Sequence, residues 1–196
     1  MTPQETEQRF VQTISEWLVS LPHDLKLLYE AAENEDLERE ARELAVGAII
    51  YVVSPNDFIA DRHDSVVSYC DDAILLRLAA KQIVSSGSED AEFFKGRHPE
   101  FFEKLDEQCD VCAAAMGDLF DWLAGKLEGL RKLEYKGKKV PKFLDDDEAG
   151  ELLYEDGLGF RTEYPVDEET IGDKLKKSAT VLDVMKRRKT EEARSR

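Results

Sequence analysis

Asp57, Asp61, His63, Asp64, Asp71 and Asp72 fall within one short stretch of the chain. With Asp24 they offer six carboxylates that a two-helix turn can bring together. Like charges held close repel unless a cation or an arginine sits among them. One reading is a hard-cation site for Mg²⁺, Mn²⁺ or Ca²⁺, ions that take oxygen ligands. Its candidate ligands are Asp57, Asp61, Asp64, Asp71, Asp72 and His63, and its chemistry would be divalent-metal-dependent hydrolysis. Asp57 and Asp61 are four apart and share a face of any helix that starts at Pro55. His63, between two aspartates, is the best-placed general base, although a solvated loop histidine is the plainer account. The competing reading is structural. Ser54-Pro55-Asn56-Asp57 has the form of an N-capped helix start with negative charge in its first turn, and Asp71-Asp72 fits the next helix in the same way. Arg77, set among apolar neighbours, needs a partner and is the expected counter-charge of the cluster. Capping and ion pairing are the expectation here; the metal site is its alternative.

Other motifs carry less chemistry. Cys109-Asp110-Val111-Cys112 supplies only two thiols, with no second CxxC and no paired histidines, so structural zinc is disfavoured. Both thiols fall on an apolar helical stripe and are expected to be buried. His98 precedes a helix-starting proline and reads as a solvated loop residue. Asp145, Asp147, Gly150 and Asp156 sit at calcium-loop positions 1, 3, 6 and 12, but Ala149 stands at position 5 and the last ligand is not glutamate. An ordinary acidic loop is the better reading. No serine lies in G-x-S-x-G and no glycine-rich phosphate loop occurs.

These residues sit in a chain of 196 residues with a formal net charge of −16 and a pI near 4.7. The length suits one or two small domains with a real core. The acidic excess disfavours nucleic acid and anionic membrane as partners. The longest apolar run, Ala45 to Val53, is about half of what a membrane span needs. MTPQETEQRF has neither a basic n-region nor an apolar h-region, so no secretory signal is expected. Three cysteines make no disulfide framework, which suits a reducing cytoplasm.

The elements that must position the acids are helices. Thr2-Pro3-Gln4-Glu5 has the form of a capping box, and Phe10, Ile14, Trp17, Leu18 and Leu21 follow at helical spacing up to Pro22, where that helix should end. A short second helix should begin at Pro22 and present Leu25, Leu28 and Ala32. A third carries Leu37, Ala41, Leu44, Ala45, Ala48, Ile49 and Val52, and stops near Ser54 because of Pro55. Val66 to Val84 reads as a helix apolar on all sides, hence central. After the loop Ser85–Ser88, His98-Pro99-Glu100 should open the longest helix. Its stripe runs through Phe102, Leu105, Cys109, Cys112, Met116, Leu119, Leu123, Leu127 and Leu130.

Beyond Leu133 the texture changes. Tyr135-Lys136-Gly137-Lys138 reads as a tight turn, and Asp156-Gly157 as a second turn between two short strands. Asp167 should cap a last helix running to about Arg188, with Ile171, Leu175, Leu182 and Met185 on its apolar side and a frayed end past Lys189. Residues 171–196 hold nine Lys or Arg against four Asp or Glu, a net of +5, which leaves residues 1–170 at −21. The expected fold is mainly α. A compact multi-helix bundle (1–132) is followed by a C-terminal extension (133–196) with a small hairpin and a basic terminal helix.

Residues 21–84 resemble the YkvA-like bacterial helical domain of unknown function. The motifs that carry the resemblance are Leu21-Pro22-His23-Asp24-Leu25, then Ser54-Pro55-Asn56-Asp57-Phe58-Ile59-Ala60-Asp61, then Tyr69-Cys70-Asp71-Asp72-Ala73-Ile74. The chain departs from that pattern at Arg62–Ser68, which is polar where such domains are apolar, and at Ala60, where they carry a second proline. The resemblance implies a fold more than an activity. The expected function is therefore a non-enzymatic cytoplasmic protein-interaction or adaptor module, needing no cofactor and acting through a protein partner or through self-association by the C-terminal helix. The alternative is the divalent-metal-dependent hydrolase centred on Ser54–Asp57.

Overall fold

A computed structural model describes residues 2–54 and 66–195, with the backbone alone at 173, 174 and 195. Asp57, Asp61, His63 and Asp64 therefore lie outside the described residues.

The chain opens with α1, Pro3–Glu33, whose capping box forms as the sequence requires. Glu5 N–H donates to Thr2 Oγ1 and Thr2 N–H to Glu5 Oε2. The expected break at Pro22 does not occur: α1 runs through it, and Leu25, Leu28 and Ala32 are buried as part of this same helix. Pro22 has no N–H for the carbonyl of Leu18 four residues back. That carbonyl instead accepts from Tyr164 Oη at 2.7 Å, so the helix continues with its hydrogen bond supplied from elsewhere in the fold.

Next, α2 (Arg39–Val53) ends at Ser54 as Pro55 demands. A 3₁₀ turn at Val66–Tyr69 leads into α3, Cys70–Ile83. Of α3, only Lys81 and Gln82 lie outside the buried set, which confirms the expected central helix. Gly47 in α2 lets α2 approach the next layer: a Cβ there would sit 2.4 Å from the Leu130 carbonyl oxygen.

Ser88 caps α4, Glu89–Arg97, by accepting from Ala91 N–H. The long helix expected from Pro99 is instead four pieces: α5 (Pro99–Phe102), α6 (Leu105–Met116), α7 (Asp118–Ala124) and α8 (Leu127–Leu130). Gly117, at φ 53°, turns the chain between α6 and α7, a conformation that only glycine takes readily. The apolar face survives the breaks, because Phe102, Leu105, Cys109, Cys112, Met116, Leu119, Leu123 and Leu130 are all buried.

One hairpin forms as expected. Strands β1 (Glu134–Tyr135) and β2 (Lys138–Lys139) pair antiparallel, with Lys136 and Gly137 both at positive φ as a two-residue turn requires. The second expected hairpin is wrong. After α9 (Lys142–Asp145), residues Asp147–Glu163 form one helix, α10, capped by Asp146. Gly157 sits inside it because Tyr29 packs there; a Cβ would meet Tyr29 Oη at 2.1 Å. Asp167 caps α11, Glu168–Lys174, through a capping box with Thr170. The expected single terminal helix is thus split, and α12 (Ser178–Ser195) extends past Lys189 rather than fraying there. One hydrophobic core runs from Phe10 through Tyr135, Val140 and Phe143 to Val181 and Met185, so the extension packs into the bundle's interior. Among the described residues, no helix is long and apolar enough to cross a membrane.

Candidate functional site

The described members of the acid-rich motif are buried, where ionised groups are costly unless paired. Two ion pairs hold Asp24 and Asp71, one at the middle of α3 and one at its start.

The first pair joins α1 to α3. Asp24 and Arg77 are 4% and 6% exposed, and Arg77 Nη2 donates to Asp24 Oδ2 at 2.5 Å and to Ser20 Oγ at 2.9 Å. Ser20 Oγ in turn donates to Asp24 Oδ2 at 2.7 Å. Ser20 and Asp24 are one helical turn apart, so both reach the same guanidinium. Phe101 stacks 4.0 Å from the guanidinium carbon, and Trp17 lies 5.6 Å away. Both rings favour the cation through their π faces. Burial pushes the Asp24 carboxyl above its usual range, against the pull of Arg77, and lowers Arg77 in turn.

The second pair joins α3 to the C-terminus. Asp71 in the first turn of α3 pairs with Arg188 Nη1 from α12, and both residues are buried. Arg188 Nη2 also donates to the Ser68 carbonyl at 2.7 Å, and Tyr51 Oη donates to Asp71 Oδ2 at 2.9 Å. Four elements therefore meet at one ion pair: α2, the 3₁₀ turn, α3 and α12. Asp71 also lies where the α3 dipole favours negative charge. Asp72 is buried beside it, and Tyr164 is pushed up by burial first and by the Asp72 charge second.

The expected counter-charge is thus divided. Arg77 serves Asp24, whereas Asp71 takes Arg188, a residue that local pattern marks only as the end of the last helix. The signal was present, since Val181, Met185 and Arg188 follow helical spacing on one face, and all three are buried. Among the described residues, no group of three or more His, Cys, Asp or Glu side chains is arranged to hold a metal ion.

The lesser motifs resolve as structure. Cys109 and Cys112 are buried free thiols on α6, and Cys70 is a third at the start of α3. Burial pushes Cys109 up to about 11 and the other two further, which keeps them protonated and poorly nucleophilic. His98 is not a solvated loop residue. It ends α4 with its ring 4.9 Å from that of Phe94 and its Nε2 3.2 Å from Glu30 Oε2. The calcium-like pattern is no loop either, because it spans the α9–α10 junction and its first and last acids each have their own partner. Arg39 grips Asp145 with two bonds at 2.9 and 2.8 Å, and Asp156 accepts from Tyr135 and Lys136.

Comparison with protein-family models, with curated proteins and with solved structures finds no match to this chain.

Proposed function

We propose that this chain is a non-enzymatic cytoplasmic interaction or adaptor module of the YkvA-like kind, and that the outer face of α12 is the element it presents. One observation carries this reading. The inner face of α12 is anchored by Val181, Met185 and Arg188, which leaves Lys186, Arg187 and Arg194 exposed on the opposite side. Lys176 and Lys177, just before it, are exposed too. This mainly basic face, where Asp183 lies 3.9 Å from Lys186, belongs to a chain whose first 170 residues carry −21. It suits an acidic protein surface, either that of a partner or residues 1–170 of a second copy. The same negative field opposes polyanions approaching the rest of the molecule. Exposed charges are screened beyond about 8 Å at physiological salt, so association through this face must weaken as salt rises.

The test is charge reversal on the outer face, because deleting the helix would also remove core side chains. Lys186→Glu with Arg187→Glu leaves every buried contact of α12 in place. Sedimentation across a concentration series, with and without added salt, should show association in the wild type. The double variant should lose it while keeping the wild-type urea midpoint. Association that survives the reversal, or a wild-type monomer that captures no acidic partner, defeats the reading.

A further inference from the structure

Beside the Asp24–Arg77 pair, a cavity of about 320 Å³ opens between α1, α3 and the α4–α5 corner. We propose that this cavity binds a small zwitterion of the α-amino-acid type, with its carboxylate on Arg77 and its ammonium group toward Glu30 and Glu100. The proposal goes beyond the interaction reading and does not depend on it.

Arg77 carries five N–H donors in one plane. Both of its acceptors, Asp24 and Ser20, sit on Nη2. Nε is sealed without an acceptor, and Nη1, which is not sealed, makes no hydrogen bond among the described residues and is the donor left for a ligand. Phe101 lies 4.0 Å from the guanidinium carbon on the cavity side, and a planar carboxylate is the acceptor that matches a guanidinium's remaining in-plane donors. Retaining a buried guanidinium with unused donors costs stability, and a polar ligand at this wall of the cavity removes that cost.

The rest of the lining selects the ligand. Asp24 offsets Arg77, and Glu30 lies 3.6 Å from Lys26 and 3.2 Å from His98 Nε2. Glu100 adds another carboxylate to the wall. A phosphate dianion would face three carboxylates against Arg77 and Lys26, and a lone cation would face those two cations. A molecule with one charge of each sign meets a complement for both. The volume restricts it to a small one.

The probes are the twenty L-amino acids, screened by thermal shift and followed by calorimetry, with acetate, methylammonium and inorganic phosphate as half-ligands and control. At least one amino acid should bind saturably at one per chain. Acetate and methylammonium should each bind about tenfold more weakly or worse, since each makes only one charge-assisted contact. Glu30→Gln, a partly exposed position, should weaken the amino acid about tenfold while leaving acetate unchanged. Arg77→Lys should abolish binding if the variant folds; if it does not, Glu30→Gln decides. The proposal is overturned if no amino acid binds saturably, if acetate binds as well as the best amino acid, or if Glu30→Gln binds like wild type.

Discussion

Tyr164 Oη lies 2.7 Å from the carbonyl oxygen of Leu18, the acceptor that Pro22 leaves without a helical donor. A 31-residue helix thus crosses a proline because a tyrosine at the end of α10 supplies the missing donor. The bond predicts coupling between the two sites. Tyr164→Phe alone should cost about 1–2 kcal/mol, because the Leu18 carbonyl is then left unsatisfied. In a Pro22→Ala background the restored N–H can take that carbonyl, and the same Tyr164 change should cost clearly less. Urea unfolding of the four proteins in a double-mutant cycle measures this, and additive costs would show that the two residues are unrelated.

The Asp71–Arg188 pair should be the most sensitive point of the C-terminal extension. Arg188→Ala leaves a buried carboxylate without its guanidinium, and such changes cost about 3–5 kcal/mol. Arg188→Met with Asp71→Leu removes both charges and should recover much of that loss. If Arg188→Ala shifts the denaturation midpoint no more than a surface substitution does, α12 is not held by this pair.

How much of this the sequence shows depends on the range of the determinant. The capping box at Thr2, the helix start at Asp167, the stop before Pro55 and the Lys136-Gly137 turn are set by neighbours within four residues, and each forms where the local pattern puts it. The central position of α3 follows from its apolar composition. What local pattern missed was set at long range. Pro22 looks like a helix end until Tyr164 is placed against it. Asp156-Gly157 looks like a hairpin turn, yet Gly157 is small because Tyr29 fills its space. Among the candidate site residues, Asp71 and Asp72 stand in the first turn of α3 as their spacing predicts, while the partner of Asp71 comes from the other end of the chain. Arg188 was visible only as a charged residue in register with Val181 and Met185.

Two glycines give opposite expected outcomes for the same substitution. Gly47→Ala drives a methyl group into the Leu130 backbone, which cannot step aside as a side-chain tip can, and should destabilise by roughly 1–3 kcal/mol. Gly96→Ala, inside α4 with nothing near its Cβ, should stabilise by about 0.5–1 kcal/mol through helix propensity. Thermal unfolding of both variants checks the sign of each, and a neutral Gly47→Ala would mean that α2 and α8 are not in such close contact.

The buried thiols set an alkaline limit. Cys109 is raised to about 11 in the folded chain by burial, above the value of about 8.5 for an unfolded thiol. Its contribution to stability is therefore complete below about pH 8.5 and is lost as pH rises through about 11. Cys70 and Cys112 shift in the same direction. Urea midpoints should fall across this window, and Cys109→Ala should flatten the fall. Near neutral pH a thiol reagent should label none of the three without denaturant. Rapid labelling of Cys109 or Cys112 would instead point to redox or metal chemistry at the CxxC.

The acid-rich turn carries the remaining test, because Asp71 is one of the residues a metal-dependent hydrolase would need. In the folded chain a guanidinium already faces its Oδ1, and Tyr51 donates to its Oδ2. A divalent ion at Asp71 must therefore displace Arg188 from a buried position, and it must do so against the Ser68 carbonyl that also holds that arginine. Chelator-stripped wild type titrated with Mg²⁺, Mn²⁺ or Ca²⁺ should accordingly give no binding heat that depends on Asp71, so Asp71→Asn leaves the isotherm unchanged. Removing the guanidinium changes the balance. In Arg188→Gln, Asp71 loses its cation beside buried Asp72, and oxygen-seeking ions then have reason to enter. Mn²⁺ or Ca²⁺ should raise the melting temperature of Arg188→Gln more than that of wild type. Saturable binding in the wild type that disappears in a folded Asp71→Asn protein would reverse this conclusion and favour the hydrolase.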